Sequence, residues 1–279
     1  MFQYSLGKRI ALETGGALLL DVSLFDGRKW DFGLKDFALM DNVILSSRKN
    51  IAALTKIKVI KYLRKMGLGS CDPLLWGVLM EPFPPEYVDI PYLRLGNNDT
   101  LFLEGLWQSE RYFDRYADEI RRDFTLNEIS PAALELRERI SSEGSSSVSV
   151  HIRRGDYVTD PSANRVHGVL PPDYYRKSED LIRSVVDRPV FFIFSDDIEW
   201  AKTNFRLNGD MVFVSDPGRQ ACEELFLMSC CAHNIIANSS YSWWGAWLND
   251  NPSRVVVTPE KWFQNMRSDH IVPDRWKRV

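Results

Sequence analysis

From residue 147 onward the chain alternates short β-branched or aromatic runs with helical segments, and this rhythm limits the possible folds more than any other feature. The runs fall at 147–152, 190–195, 211–215, 233–237 and 254–258. Alternation of this kind predicts an α/β fold, a parallel sheet with helices on both faces. In such sheets ligands collect beyond the carboxyl ends of the strands. The strand ends are therefore where function is to be sought.

The first run, within "SVSVHIRRGDYV", ends in His151, Arg153, Arg154, Asp156 and Tyr157. Two arginines can form several charge-assisted hydrogen bonds to phosphate oxygens in a geometry that lysine does not match. A diphosphate ligand explains the pair; a surface Arg–Asp network is the alternative. Arg154–Gly155–Asp156 also has the form of an adhesion tripeptide, which requires an exposed, flexible segment. After "VFFIF" come Ser195, Asp196 and Asp197. Their carboxylates could accept hydrogen bonds from ribose hydroxyls or the N–H edge of guanine, although Asp196 with Glu199 equally fits a helix capping box.

After "NIIA" come Asn238, Ser239, Ser240 and Ser242 at the start of a helix. Hydroxyls and unpaired N–H groups there make an anion site, and capping accounts for only one of the serines. Trp243, Trp244 and Trp247 read as core more than as a ligand stack. The helix in "DPGRQACEELFLMSCCAH" carries Glu223 and Glu224; Glu223 is the candidate for sugar hydroxyls, against a reading as solvated helix charge.

The N-terminal half is organised differently. Residues 1–14 read as a helix closed by Gly15–Gly16, followed by a strand at 17–22. A helix over 50–68 is capped by Asn50 and ends at Gly67; a proline-rich stretch occupies 82–91. "TLFLEGLWQSERYFDRYADEIRRDFTL" pairs a short strand with a helix, and Ser130 with Pro131 opens another. The polar "SSEGSSS" then predicts a domain boundary, giving domains 1–145 and 146–279.

With a net charge of −3 the chain offers no broad basic field, so nucleic acid is not an expected partner. Its longest apolar runs fall far short of the roughly 18–20 residues of a membrane span, and no signal pattern opens the chain, so the expected location is cytoplasmic. Cys71, Cys222, Cys230 and Cys231 lack metal-ligand spacing and read as buried apolar groups. No D-x-D triplet, Walker loop or H-E-x-x-H is present, so no metal site is expected.

"HIRRGDYV", "FFIFSDDIEWAKTNF" and "IIANSSYSWWGAWL", in that order, resemble the α-1,2-fucosyltransferases, inverting enzymes with an H-x-R-R-x-D motif. "MFQYSLGKRIALE" and "LEGLWQSERYFDRYADEIRRDFTL" extend the likeness into the N-terminal half. The resemblance implies a GT-B-like pair of Rossmann-like domains facing a cleft, the C-terminal one holding GDP-β-L-fucose as donor substrate. It implies transfer of fucose to the 2-hydroxyl of a terminal β-galactoside with inversion, and no metal or other cofactor. The acceptor would be a galactose-terminated oligosaccharide or lipid-linked glycan, met through peripheral contact with the inner membrane face. Carried over by motif, Arg153 contacts the β-phosphate and Arg154, His151 and Asp156 complete the catalytic motif, with Asp156 orienting an arginine. Ser239, Ser240 and Ser242, with Asn238, line the phosphates; Ser195, Asp196 and Asp197 address the nucleoside. No motif identifies the general base.

The family opens with a strand and a G-G-L-G-N-Q segment ahead of the matching "MFQY", and the first helix here has no capping residue before it. The expectation is an N-terminal sheet without its first strand, and a gain in stability and activity when upstream residues are supplied. Equal melting temperature and turnover for the two lengths would exclude it. Two other functions stay open: a related transferase with a different donor or acceptor, and a catalytically impaired protein that binds a nucleotide or glycan.

Overall fold

The computed structural model describes residues 1–23, 25, 32–39, 43–47, 50–66, 74–96 and 99–279. Gly67 and Cys71 lie outside these residues. Two compact units are present: 1–125 with 269–271, and 126–268 with 272–279.

The N-terminal unit begins with α1 (Phe2–Thr14), which ends where Gly15 turns left-handed at φ 69° and returns its N–H to Ala11 O. β1 (Leu18–Asp21) pairs in parallel with β2 (Val43–Ser46). α2 (Ile51–Lys65) starts at Asn50, whose side chain accepts the Ala53 N–H at 3.0 Å. β3 (Leu74–Leu75), β4 (Val78–Met80) and β5 (Phe102–Glu104) form a small mixed sheet. The helix expected after β5 is broken into two 3₁₀ turns, 110–112 and 114–116, ahead of the short α3 (Ala117–Asp123). The two ends of this unit's helical layer are tied by a buried ion pair. Asp123 accepts Lys8 Nζ at 3.0 Å and the Tyr4 hydroxyl at 2.6 Å.

The C-terminal unit starts earlier than the expected boundary at 145. α4 (Pro131–Ser142), capped by Ser130 with Pro131 in its first turn, belongs to it. The reason is packing. Ala133 and Ile140 are buried in one cluster with Phe192, Phe194, Leu227 and Met228, so the helix covers a face of the sheet. The polar "SSEGSSS" is thus no linker: it ends α4, makes a 3₁₀ turn at 144–146 and runs directly into the next strand.

That strand is β6 (Ser147–Ile152), and after it come the short helices α5 (Gly155–Thr159) and α6 (Pro161–His167), then α7 (Pro172–Arg183). The chain continues through β7 (Val190–Ser195), α8 (Ile198–Asn204), β8 (Asp210–Phe213) and α9 (Ala221–Cys230). It closes with β9 (His233–Ile235), α10 (Ser240–Leu248), β10 (Val256–Thr258) and β11 (Lys277–Arg278). The six strands are ordered β11-β10-β9-β6-β7-β8, every pair parallel. The α/β class read from the alternation holds.

Strand periodicity sends alternate β7 side chains to opposite faces. Phe191 and Ile193 join Val148, Val150, Ile152 and Ile182 on one side, while Phe192 and Phe194 meet α4 and α9 on the other. Full burial of each such side chain contributes roughly 1.5–3 kcal/mol. The strand order also places the switch point, since the chain leaves β6 toward β7 and β8 and returns on its other side at β9. A crevice is expected outside the carboxyl ends of β6 and β9.

Candidate active site

β6 delivers "HIRRGD" to that switch point, and β9 delivers "ANSSYS" beside it. The two segments touch: the Tyr157 hydroxyl donates to Asn238 O at 3.0 Å, and the His151 ring lies 5.6 Å from that of Tyr241. β7 brings the acidic pair to the neighbouring strand end, with Ile152 in register with Ser195.

Both arginines are held by these acids. Arg153 reaches Asp196 Oδ2 through Nη1 at 2.9 Å and Asp156 Oδ1 through Nη2, with its guanidinium 5.2 Å from the Tyr157 ring centre. Arg154 donates its backbone N–H to Asp196 Oδ1 at 2.8 Å and its Nε to Asp197 Oδ2 at 3.1 Å. Its guanidinium stacks 3.6 Å over Trp200. Gly155 is required by this closeness. A Cβ there would stand 2.3 Å from Asp196 Oδ2. The Arg154–Gly155–Asp156 tripeptide therefore opens α5 with all its charges engaged, which is not the flexible exposed segment an adhesion ligand needs.

His151 is 3% exposed, and its Nδ1 is buried without a hydrogen-bond partner. Burial, with the Arg153 charge adding to it, lowers its pKa to about 3, so the ring is neutral near pH 7. Tyr157 is shifted the other way, up to about 12, chiefly by burial.

The remaining predicted residues divide. Asp197 is the N-cap of α8 but makes no side-chain cap bond, and Glu199 pairs with Lys202, so the capping-box alternative fails. Ser240 is exposed at the first turn of α10, and Ser239 is its buried N-cap, again without a side-chain cap. Ser242 must be corrected: it is fully buried, one turn in, with its hydroxyl turned to Ala237 O and Ser239 O. The Ser195 hydroxyl is also spent inside the protein, donating to Ile152 O at 2.9 Å and accepting the Asp197 N–H at 3.1 Å. Asn238 is 2% exposed and donates to His167 O and Trp262 O, so it braces the loop while its Oδ1 stays unpaired. Glu223 is committed to a contact inside the protein. It is buried and accepts the Ser130 N–H at 2.7 Å, fastening α4 to α9. The tryptophans of α10 are core, each 2% exposed or less.

A sequence-family model described as Glycosyl transferase family 11 matches residues 83–277. The chain belongs to glycosyl transferase family 11. The resemblance to α-1,2-fucosyltransferases read from the three motifs is thus confirmed at the level of the family, and the chain is a glycosyltransferase. Among its relatives, the Escherichia coli "O-antigen biosynthesis glycosyltransferase WbnK" is 33% identical over 99% of this chain and 95% of its own length. An "Alpha-1,2-colitosyltransferase", also of Escherichia coli, is 32% identical over 100% of this chain and 94% of its own. The human "Galactoside alpha-(1,2)-fucosyltransferase 1" is 31% identical over 58% of this chain and 45% of its own.

In this glycosyltransferase the strand-end cluster sets two cationic side chains against three carboxylates. Each terminal nitrogen of Arg153 keeps a second N–H beyond the one its carboxylate takes, and among the described residues nothing accepts from the terminal nitrogens of Arg154. The arginines are preorganised by the acids, with donors left over for a ligand.

Of the groups here, Glu224 is named in the sequence reading without being chosen as a site residue, and Trp200 and His167 are passed over. Glu224, one residue beyond Glu223 and so turned about 100° around α9, accepts the Ser215 hydroxyl at 2.7 Å at the end of β8. Burial raises its pKa against the hydrogen bonds from Ser215 and the Asp216 backbone. Ser215 in turn accepts the Ser195 N–H, at 2.9 Å. Trp200 stands three residues after Asp197, the helical spacing that sets the two on one face and could have signalled it. His167 stacks on Tyr157 at 4.6 Å, and no local pattern foretells that contact.

Proposed function

We propose that this glycosyltransferase moves L-fucose from GDP-β-L-fucose to the 2-hydroxyl of a terminal β-galactoside, with inversion, in building a surface polysaccharide such as an O-antigen. The observation that carries this reading is the meeting of the H-x-R-R-x-D segment and the α10 N-terminus at the β6/β9 switch point. Departure of a nucleoside diphosphate concentrates negative charge on the β-phosphate. Fixed donors aimed there stabilise the transition state without reorganising. In this reading Arg153 takes the β-phosphate, Arg154 stacked on Trp200 supports the diphosphate, and Ser239, Ser240 and the first N–H groups of α10 complete the grip. In the same reading Asp156 and Asp196 orient Arg153, Asp197 addresses the nucleoside, and the buried, neutral His151 completes the H-x-R-R-x-D motif.

A second donor is favoured by one observation, the 32% identity across the whole chain to a protein named as a colitosyltransferase. The same diphosphate site would serve GDP-colitose. The deciding experiment measures GDP release from each donor, with and without lactose, in EDTA throughout. Lactose-dependent release from GDP-fucose, with an α-1,2-linked product, is expected. Release from GDP-colitose alone would replace the donor, and failure to bind GDP at all would overturn the site.

A further inference from the structure

α2 packs Ile57 and Ile60 inward against β4 and carries a second apolar stripe on its outer face. Only Ala53 and Ile60 among its fifteen residues are buried. On the opposite side Ile51, Leu54, Val59 and Tyr62, with Met66 just beyond the helix, are 75, 39, 41, 63 and 56% exposed. At 3.6 residues per turn these five fall within an arc of about 140° centred opposite the two buried residues. A helix that merely covered its own sheet would carry polar groups there.

The helix also holds Lys56, Lys58, Lys61, Arg64 and Lys65 with no acidic residue, in a chain whose net charge is −3. Lys61 pairs with Glu104, and Lys56 Nζ donates to Trp76 O at 3.2 Å. Lys58 and Lys65 are exposed and stand on the apolar arc itself. Trp76 adds an independent observation. It forms the tip of the β3–β4 hairpin with Gly77, at φ 53° and 75° respectively, and its side chain is 53% exposed. Positive φ is uphill for a bulky residue, and glycine or asparagine would fill the position without strain. The backbone carbonyl of this turn is the one Lys56 of α2 binds, and the open indole beside it is available for contact.

We propose that α2 and Trp76 form a membrane-surface contact that seats the N-terminal unit on anionic lipid. An apolar arc interleaved with lysines suits the headgroup–acyl boundary: the apolar side chains enter it while lysine stems reach back to the phosphates. Tryptophan favours the same depth. A polyanion without an apolar interior would leave the five exposed side chains unused. The contact does not depend on which sugar the enzyme transfers.

The test is flotation of the full chain with vesicles of phosphatidylcholine alone or with about one third phosphatidylglycerol, at low and high salt. The chain should float only with the anionic vesicles, and high salt should release it. The double variant K58E/K65E should lose at least about twentyfold in partitioning, about fivefold per lysine. Trp76→Gly, which relieves the positive φ, should weaken binding while retaining the hairpin. Both variants should match the unaltered chain in circular dichroism, melting temperature and turnover on lactose. Absence of vesicle binding at low salt, or equal binding by the variants, overturns the proposal. So does a dimer that Tyr62→Ser converts to monomer without any vesicle binding, because the arc then belongs to a second copy.

Discussion

Gly155 has no side chain because Asp196 needs the space. The Asp196 carboxylate is held by Arg153 Nη1 and the Arg154 N–H, so it cannot swing aside freely when a Cβ is added. Gly155→Ala is expected to cost about 1–3 kcal/mol of stability and to loosen both arginines. Donor titration should show weaker binding than thermal stability alone explains; an unchanged affinity would separate the Asp196 clamp from donor binding. His151 allows a second test at this scale. Its pKa when folded, about 3, lies below the 6.5 of an unfolded imidazole, so acid favours the unfolded chain. The stability it contributes is complete above pH 6.5 and drains as pH falls toward 3, by at most about 1.4 kcal/mol per pH unit. Denaturation midpoints followed between those limits should fall less steeply in His151→Gln, and parallel slopes would mean that the ring is not held neutral. That the arginines, the aspartates and His151 would gather at the strand ends was legible in sequence, because they stand within a few residues of strands with a strong β pattern. Ser195 and Ser242 misled because a hydroxyl spent on a nearby carbonyl reads the same in sequence as one offered to a ligand.

Adjacent residues of a helix serve different masters, and α9 divides its two glutamates accordingly. Glu223 secures the N-terminus of α4, whereas Glu224 braces Ser215 and, through it, the end of β7. Glu223→Ala should destabilise the protein by about 1–3 kcal/mol by leaving the Ser130 N–H unpaired, with turnover per folded molecule retained. Glu224→Ala should lower turnover more than stability. A reversal of these two outcomes would return the site to Glu223. In the N-terminal unit, Asp123 joins α3 to α1 through Lys8 and Tyr4. Removing one partner of a buried pair strands the other charge, so Asp123→Ala should cost about 3–5 kcal/mol in denaturant unfolding. Elements were readable where local chemistry set them: the Asn50 and Ser130 caps, the Gly15 stop, and β6 and β7 at their full lengths. The partner of α4 was not, because its composition marks a boundary on one side and only Ala133 and Ile140, meeting α9, reveal where it packs.

At the scale of the whole chain, the parallel sheet that carries every predicted donor residue lies within one compact unit, 126–268 with 272–279. The alternation of strands and helices announced that sheet, but not the strand order, which depends on long-range pairing and is what sets the switch point. A ligand that binds only the folded unit stabilises it by RT ln(1 + [L]/Kd), about 2.7 kcal/mol at a hundredfold excess over Kd. GDP should therefore raise the unfolding transition of the C-terminal unit, in calorimetry, while a transition arising from residues 1–125 stays in place. Arg153→Ala should remove most of the shift: it takes away the guanidinium proposed for the β-phosphate and leaves Asp156 and Asp196 facing the ligand without their cation. If GDP moved the N-terminal transition instead, the donor would belong to the other unit. The Arg–Asp cluster would then be a structural clasp at the end of β6.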